Sequence, residues 1–98
     1  MTAEVRLRPE AERDLVDAAG WYEQQRAGLG QQFLDETQAV LTSIAAMPLA
    51  YHLVHRTARR ALMRRFPFGI FYHVERDHVV VVGILHASRD PNSWKART

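Results

Sequence analysis

Two stretches of helical periodicity flank the tripeptide Gly28-Leu29-Gly30, and so short a connection leaves two helices one arrangement, an antiparallel hairpin. The first stretch opens at Pro9, whose fixed φ suits a first helical position. Glu10 and Glu12 then sit at the positive end of the helix dipole. Its stripe is Ala11, Leu15, Ala18, Ala19 and Tyr22, and it ends near Gln25 or Arg26. The second runs from about Gln31 to Met47, with Phe33, Thr37, Val40, Leu41 and Ile44 as its stripe, and Pro48 stops it. Each stripe needs an apolar surface to lie against.

The rest of the chain supplies that surface as a sheet. Ala3 to Leu7 alternates as a short strand, and Pro48 to Thr57 shows no periodicity and reads as a loop. Arg59 to Phe66 reads as a strand broken by Pro67, and Phe68 to Glu75 alternates, with Phe68, Ile70, Tyr72 and Val74 on one face. Val79 to His86 is a β-branched run of the kind found in central strands covered on both faces. From Ala87 the chain is a tail with a turn signal at Asp90-Pro91-Asn92. The order β-α-α-β-β-β predicts an α+β fold: a helical hairpin packed on one face of a small, mostly antiparallel sheet. Phe33, Val40, Leu41, Ile44, Ile70 and Tyr72 are its expected core. A length of 98 residues fits one domain over 1–98.

Cysteine is absent, which excludes disulfides, thiolate metal sites and cysteine nucleophiles. Phosphate-loop, dinucleotide and Gly-x-Ser-x-Gly signatures are missing, so no cofactor is expected. His52 and His55 are the one close histidine pair, with no carboxylate or cysteine neighbour to make a metal site. The first residues carry Glu4, Arg6 and Arg8 and no apolar run. The longest uncharged apolar stretch, Val79 to Leu85, is too short to span a bilayer, and the expectation is a cytoplasmic protein without membrane contact.

Charge divides the chain. Residues 1–50 hold four Arg against eight acids, net −4; residues 51–98 hold eight Arg and one Lys against three acids, net +6. The split suggests a basic face for a polyanion or an acidic partner. The densest cluster is Arg59, Arg60, Arg64 and Arg65. Such a cluster protects a sheet edge from pairing, or seats an acidic segment or nucleic acid. We favour the partner, since edge protection does not call for four Arg with no intervening acid.

These residues resemble the RelE/ParE superfamily of bacterial toxins over nearly the whole chain. The matching pieces are Trp21-Tyr22-Glu23, Gly28-Leu29-Gly30 with Phe33-Leu34, Ile44 to Pro48, and Arg64-Arg65-Phe66-Pro67-Phe68 with Ile70 and Tyr72. The last is His86-Ala87-Ser88-Arg89-Asp90-Pro91 with Trp94. The Phe-Pro-aromatic turn and the His-x-x-Arg-x-Pro-x-x-Trp ending resemble the ParE branch. The resemblance implies the toxin of a type II toxin–antitoxin module, of the kind that stabilises plasmids and arrests growth. It implies a cognate antitoxin with an acidic, amphipathic C-terminal segment, in a toxin–antitoxin hetero-oligomer. On the ParE side it implies a non-catalytic inhibitor of DNA gyrase. On the RelE side it implies a metal-independent, ribosome-dependent mRNA endoribonuclease. A third reading is a retained fold with toxicity lost.

RNA cleavage needs a base for the 2′-hydroxyl, cations for the phosphorane charge and an acid for the leaving oxygen. Arg89 matches the late Arg of RelE-like members and His86 is the candidate base. The middle-strand Arg position, however, falls near Gly69, and the C-terminal Tyr or His position falls near Trp94, a poor proton donor. The sequence therefore favours a binding protein whose antitoxin or target contacts are Arg59, Arg60, Arg64, Arg65, Arg89, Trp94 and Trp21. Bland roles stand beside these. Arg89 can pair with Asp90, Trp94 can anchor the tail on the sheet, and His86 can be a packing residue. Tyr22 is expected inside, with Trp21 partly exposed.

Overall fold

The computed structural model describes residues 2–88 and 91–98. Strand β1 (Glu4–Leu7) is followed by helices α1 (Pro9–Gln25) and α2 (Leu29–Ala46). Strands β2 (Leu53–His55), β3 (Ala58–Leu62), β4 (Phe68–Val74) and β5 (His78–His86) come next, and a short helix α3 (Pro91–Lys95) closes the chain. The sheet order is β1-β5-β4-β3-β2. β1 pairs parallel with β5, and the other neighbours are antiparallel.

The hairpin forms as its spacing predicts, with a tighter turn. Gly28 at φ 90° takes the left-handed conformation that a side chain disfavours, so α2 starts at Leu29, two residues earlier than periodicity suggested. The Glu23 carboxylate accepts the N–H groups of Gly28 (2.9 Å) and Gly30 (3.0 Å), satisfying donors at the start of α2. At Gly30 the helices approach so closely that a Cβ would lie 2.6 Å from the Ala19 carbonyl oxygen.

The inner face of the sheet meets the hairpin. Phe33, Ile44, Ile70, Tyr72, Val79, Val81 and Ile84 are buried together. Phe33 packs against the rings of Tyr22, Phe66 and Phe68. Val40 and Leu41, expected in the core, are half-buried: Val40 flanks the α2–β3 groove described below, and Leu41 lines a cleft with Ala3, Val5 and Leu7 at the β1 edge. Each large apolar side chain fully buried here is worth about 1.5–3 kcal/mol.

The outer face has its own small core of Phe71, Val82 and Trp94. A bulge in β5 makes this possible. Phe71 pairs with Gly83 and Tyr72 with Val81, which leaves Val82 as an extra residue. The extra residue shifts the alternation, so Val81 and Ile84 both reach the inner core while Val82 faces Trp94.

Three expectations are corrected. The segment 48–57 is not all loop, since Leu53–His55 pairs with β3 through Leu53↔Arg59 and His55↔Ala58. The strand expected over 59–66 ends at Leu62, where the chain turns toward Phe66 and Pro67. The tail is not a simple turn: α3 lies on the outer face, stacking Trp94 on Phe71.

Candidate interaction surfaces

The structure disperses the arginine cluster. On β3, Ala61 faces the inner core, so Arg59 shares that side while Arg60 and Leu62 take the other. Arg59 is half-buried, and its guanidinium donates to the Tyr51 carbonyl at 2.7 Å and to that of Leu49 at 3.4 Å. Beside it the Tyr72 hydroxyl donates to the Pro48 carbonyl at 2.6 Å, and burial pushes its pKa up to about 12. Arg59 and Tyr72 thus fasten the segment that leaves α2. Arg60 lies over Gly69 on the outer face; a Cβ at Gly69 would sit 3.0 Å from its Cγ. The place of the missing middle-strand Arg is therefore crossed by a neighbouring Arg stem.

Arg64 and Arg65 follow β3 and are organised by one carboxylate. Glu36 on α2 accepts the backbone N–H of Arg64 (2.6 Å) and of Arg65 (3.0 Å), and the Arg65 Nε at 3.0 Å. Arg65 also donates to Gln32 at 3.3 Å and lies over the Phe66 ring. Burial of the Glu36 carboxyl opposes its ionisation, but these donors and the Arg65 charge outweigh it and hold its pKa below the usual carboxylate value. The Arg64 side chain is exposed at the rim.

Between α2 and β3 a groove of about 620 Å³ is lined by Ala39, Val40, Ser43, Tyr51 and Leu62, with Glu36, Arg64 and Arg65 around it. Leu62, on the outer side of β3, reaches the edge of this groove and is 54% exposed beside Arg64 and Arg65. Met47, Leu49 and Leu53 are exposed on the adjoining segment.

Trp21 and His86 come together elsewhere. They line a cleft of about 470 Å³ with Asp17, Ala18, Tyr22, Pro67 and Phe68, on the hairpin side. The His86 ring is 5.6 Å from Phe68, and its Nδ1 lies 3.2 Å from the Ser88 hydroxyl. Trp94 is 6% exposed, stacked on Phe71 at 5.0 Å with 19° between planes. The Lys95 ammonium lies 5.7 Å from the centre of the Trp94 ring, and among the described residues the Trp94 Nε1 has no hydrogen-bond partner. Arg89 lies outside the described residues. Among the described residues no His, Cys, Asp and Glu cluster of three or more is placed to hold a metal, and no helix is long and apolar enough to cross a membrane.

Residues 5–91 match the family model of the ParE toxin of the type II toxin–antitoxin system parDE. The chain belongs to the ParE toxin family. Its fold is similar to a chain of the chromosomal ParDE toxin–antitoxin system from P. aeruginosa, with TM-score 0.67 and 13% identity over 89% of this chain and 98% of that one. It is also similar to a chain of the RelBE2 toxin–antitoxin complex from Mycobacterium tuberculosis, with TM-score 0.62 and 16% identity over 88% and 99%. At these identities the likeness is one of fold. No curated protein matches the chain.

Two organising residues of this ParE-family chain were missed by sequence reasoning: Glu36, which holds the Arg64–Arg65 turn, and Asp14, whose carboxylate accepts from the Ile84 amide and the Arg97 guanidinium; both are carboxylates on apolar stripes. Glu36 lies three residues after Phe33 and four before Val40; Asp14 lies three after Ala11 and four before Ala18. An acid on the buried side of a helix needs donors there, and that spacing was the available signal.

Proposed function

We propose that this ParE-family toxin acts by binding its target, with DNA gyrase as that target, and does not cut message. The observation that carries this reading is the occupation of the outer face. Arg60 crosses Gly69, and Trp94 stacks on Phe71 with both rings buried. Phosphoryl cleavage asks for converging cations and an acid–base pair on accessible ground. An indole and a phenyl ring packed face to face supply neither.

We also propose an antitoxin whose acidic, amphipathic segment lies in the α2–β3 groove. Exposed Leu62 beside Arg64 and Arg65 suits such a segment: its acids meet the rim and its apolar face covers the groove. The structural likeness to toxins from ParDE and RelBE complexes supports a partner of this kind.

Two assays with the purified chain test the target: supercoiling by gyrase, and primer extension on ribosome-bound message. Inhibited supercoiling with intact message is expected. Cuts in the message with supercoiling unaffected would overturn the proposal and make His86 and Arg89 the candidates for catalysis.

A further inference from the structure

We propose that two copies of this chain pair edge to edge through β1, as a symmetric antiparallel dimer centred on Val5. β1 lies at the end of the sheet opposite β2, away from the α2–β3 groove, so the inference goes beyond the target assignment and does not depend on it.

Backbone direction sets what the edge can bond. The Arg8 N–H donates to the Val81 carbonyl of β5, whereas the Ala3 N–H points the other way, to the Ala45 carbonyl of α2. Peptide groups alternate along a strand, so those of Glu4 and Arg6 serve the β5 ladder and those of Val5 and Leu7 face outward from the sheet. Side chains decide the occupant. Val5 and Leu7 pack toward the inner core, which leaves Glu4 and Arg6 on the outer face, bonded to each other at 2.5 Å. An edge guarded by one sign of charge repels its own copy. Here opposite signs flank Val5, and a two-fold axis at Val5 sets each Glu4 against Arg6 of the second copy. These are the non-hydrogen-bonded cross-strand pairs, in which side chains approach most closely. The two Val5 residues exchange both backbone bonds, and each Leu7 N–H meets the Ala3 carbonyl of the second copy. An axis at Arg6 would instead set Arg6 against Arg6, so charge fixes the register. On the inner face Val5 and Leu7 are half-buried beside a cleft of about 410 Å³ with Leu41, Ala45, Gln38 and Thr42, all neutral side chains. The apolar side chains of a second β1 lie on that same face and cover it.

The test is sedimentation equilibrium of the purified chain over a concentration series. A reversible equilibrium between one chain and two is expected. Glu4→Arg and Arg6→Glu each place like charges in both cross-strand pairs and should weaken the dimer about ten-fold. The double variant Glu4→Arg with Arg6→Glu restores opposite charges in the same register and should return affinity to within about two-fold of the wild type. Both side chains are more than half exposed, so the variants should fold, and the indole signal of buried Trp94 marks an intact fold. Amide exchange locates the interface: with rising concentration, protection should grow at Val5 and Leu7 and stay constant at Leu53 of β2. A single chain's mass at every concentration, single variants that dimerise as well as the wild type, a double variant no tighter than the single ones, or protection gained at Leu53 in place of Val5 would each overturn the proposal.

Discussion

Asp14 of α1 and Arg97 near the chain end are joined by two hydrogen bonds, of 2.5 and 3.2 Å, across 83 residues of sequence. The same carboxylate accepts the Ile84 amide at 3.0 Å. β1 stops pairing with β5 at Leu7↔Val81, so Ile84 lies past the end of that ladder and Asp14 serves as its acceptor. One side chain thereby ties the helix, the bulged strand and the tail together. Asp14→Ala should cost about 1.5–3 kcal/mol, the range for a hydrogen bond to a charged group, in urea unfolding. It should also speed proteolysis after residue 90 more than elsewhere. Equal protection of the tail in the variant would show that the Phe71–Trp94 stack alone holds it.

The Trp94 stack has a defect that can be tested. Among the described residues its buried indole N–H has no partner, which penalises the folded state. Trp94→Phe keeps a ring on Phe71 and removes the orphan donor, so its stability should equal or approach that of the wild type. Trp94→Ala removes the ring as well and should cost about 3–5 kcal/mol. Thermal unfolding of the two variants separates these effects.

Glu36 predicts a pH dependence. Its folded pKa is depressed, so its contribution is fully present above the unfolded carboxylate value, about 4.3, and is lost as pH falls through the lower folded value. Glu36→Gln should flatten the acid limb of the stability curve below about pH 4.5. It should also loosen the turn at Arg64 and Arg65, visible as faster amide exchange at those two residues. An unchanged acid limb would mean that other carboxylates dominate it.

Two helical glycines should respond oppositely to the same substitution. A Cβ at Gly20 meets nothing within 4 Å, and Gly20→Ala should stabilise by about 0.8–1 kcal/mol through helix propensity. At Gly30 the Cβ would press on the Ala19 backbone oxygen, so Gly30→Ala forces α1 and α2 apart and should cost about 1–3 kcal/mol. Denaturant midpoints that move in the same direction would contradict this packing.

The antitoxin interface can be probed without disturbing the fold. Arg59 and Arg65 are engaged within the chain, whereas Arg64 stands exposed at the rim and Arg60 on the outer face. Arg60→Glu with Arg64→Glu should therefore slow association with the antitoxin and flatten its salt dependence, leaving stability nearly unchanged. Identical association rates across a salt series would reduce both side chains to edge charges.

The sequence by itself determined the parts whose signal is local. The Pro9 start, the stripes through Phe33 and Ile44, the Gly28 turn and the alternation from Phe68 to Tyr72 each record a face to be buried, and burial acts on neighbours in sequence. Tertiary structure alone decided the rest. Leu53–His55 is a strand because β3 lies beside it, and three residues carry no period of their own. The bulge at Val82 is hidden inside a β-branched run that would suit either register. Four arginines that look equivalent in the chain acquire different roles because their partners come from elsewhere: Glu36 from α2, the Tyr51 carbonyl from the preceding loop, Gly69 from β4. A charge has no periodicity to announce its partner. Its role is set by which distant donor or acceptor the folded backbone brings within about 3 Å.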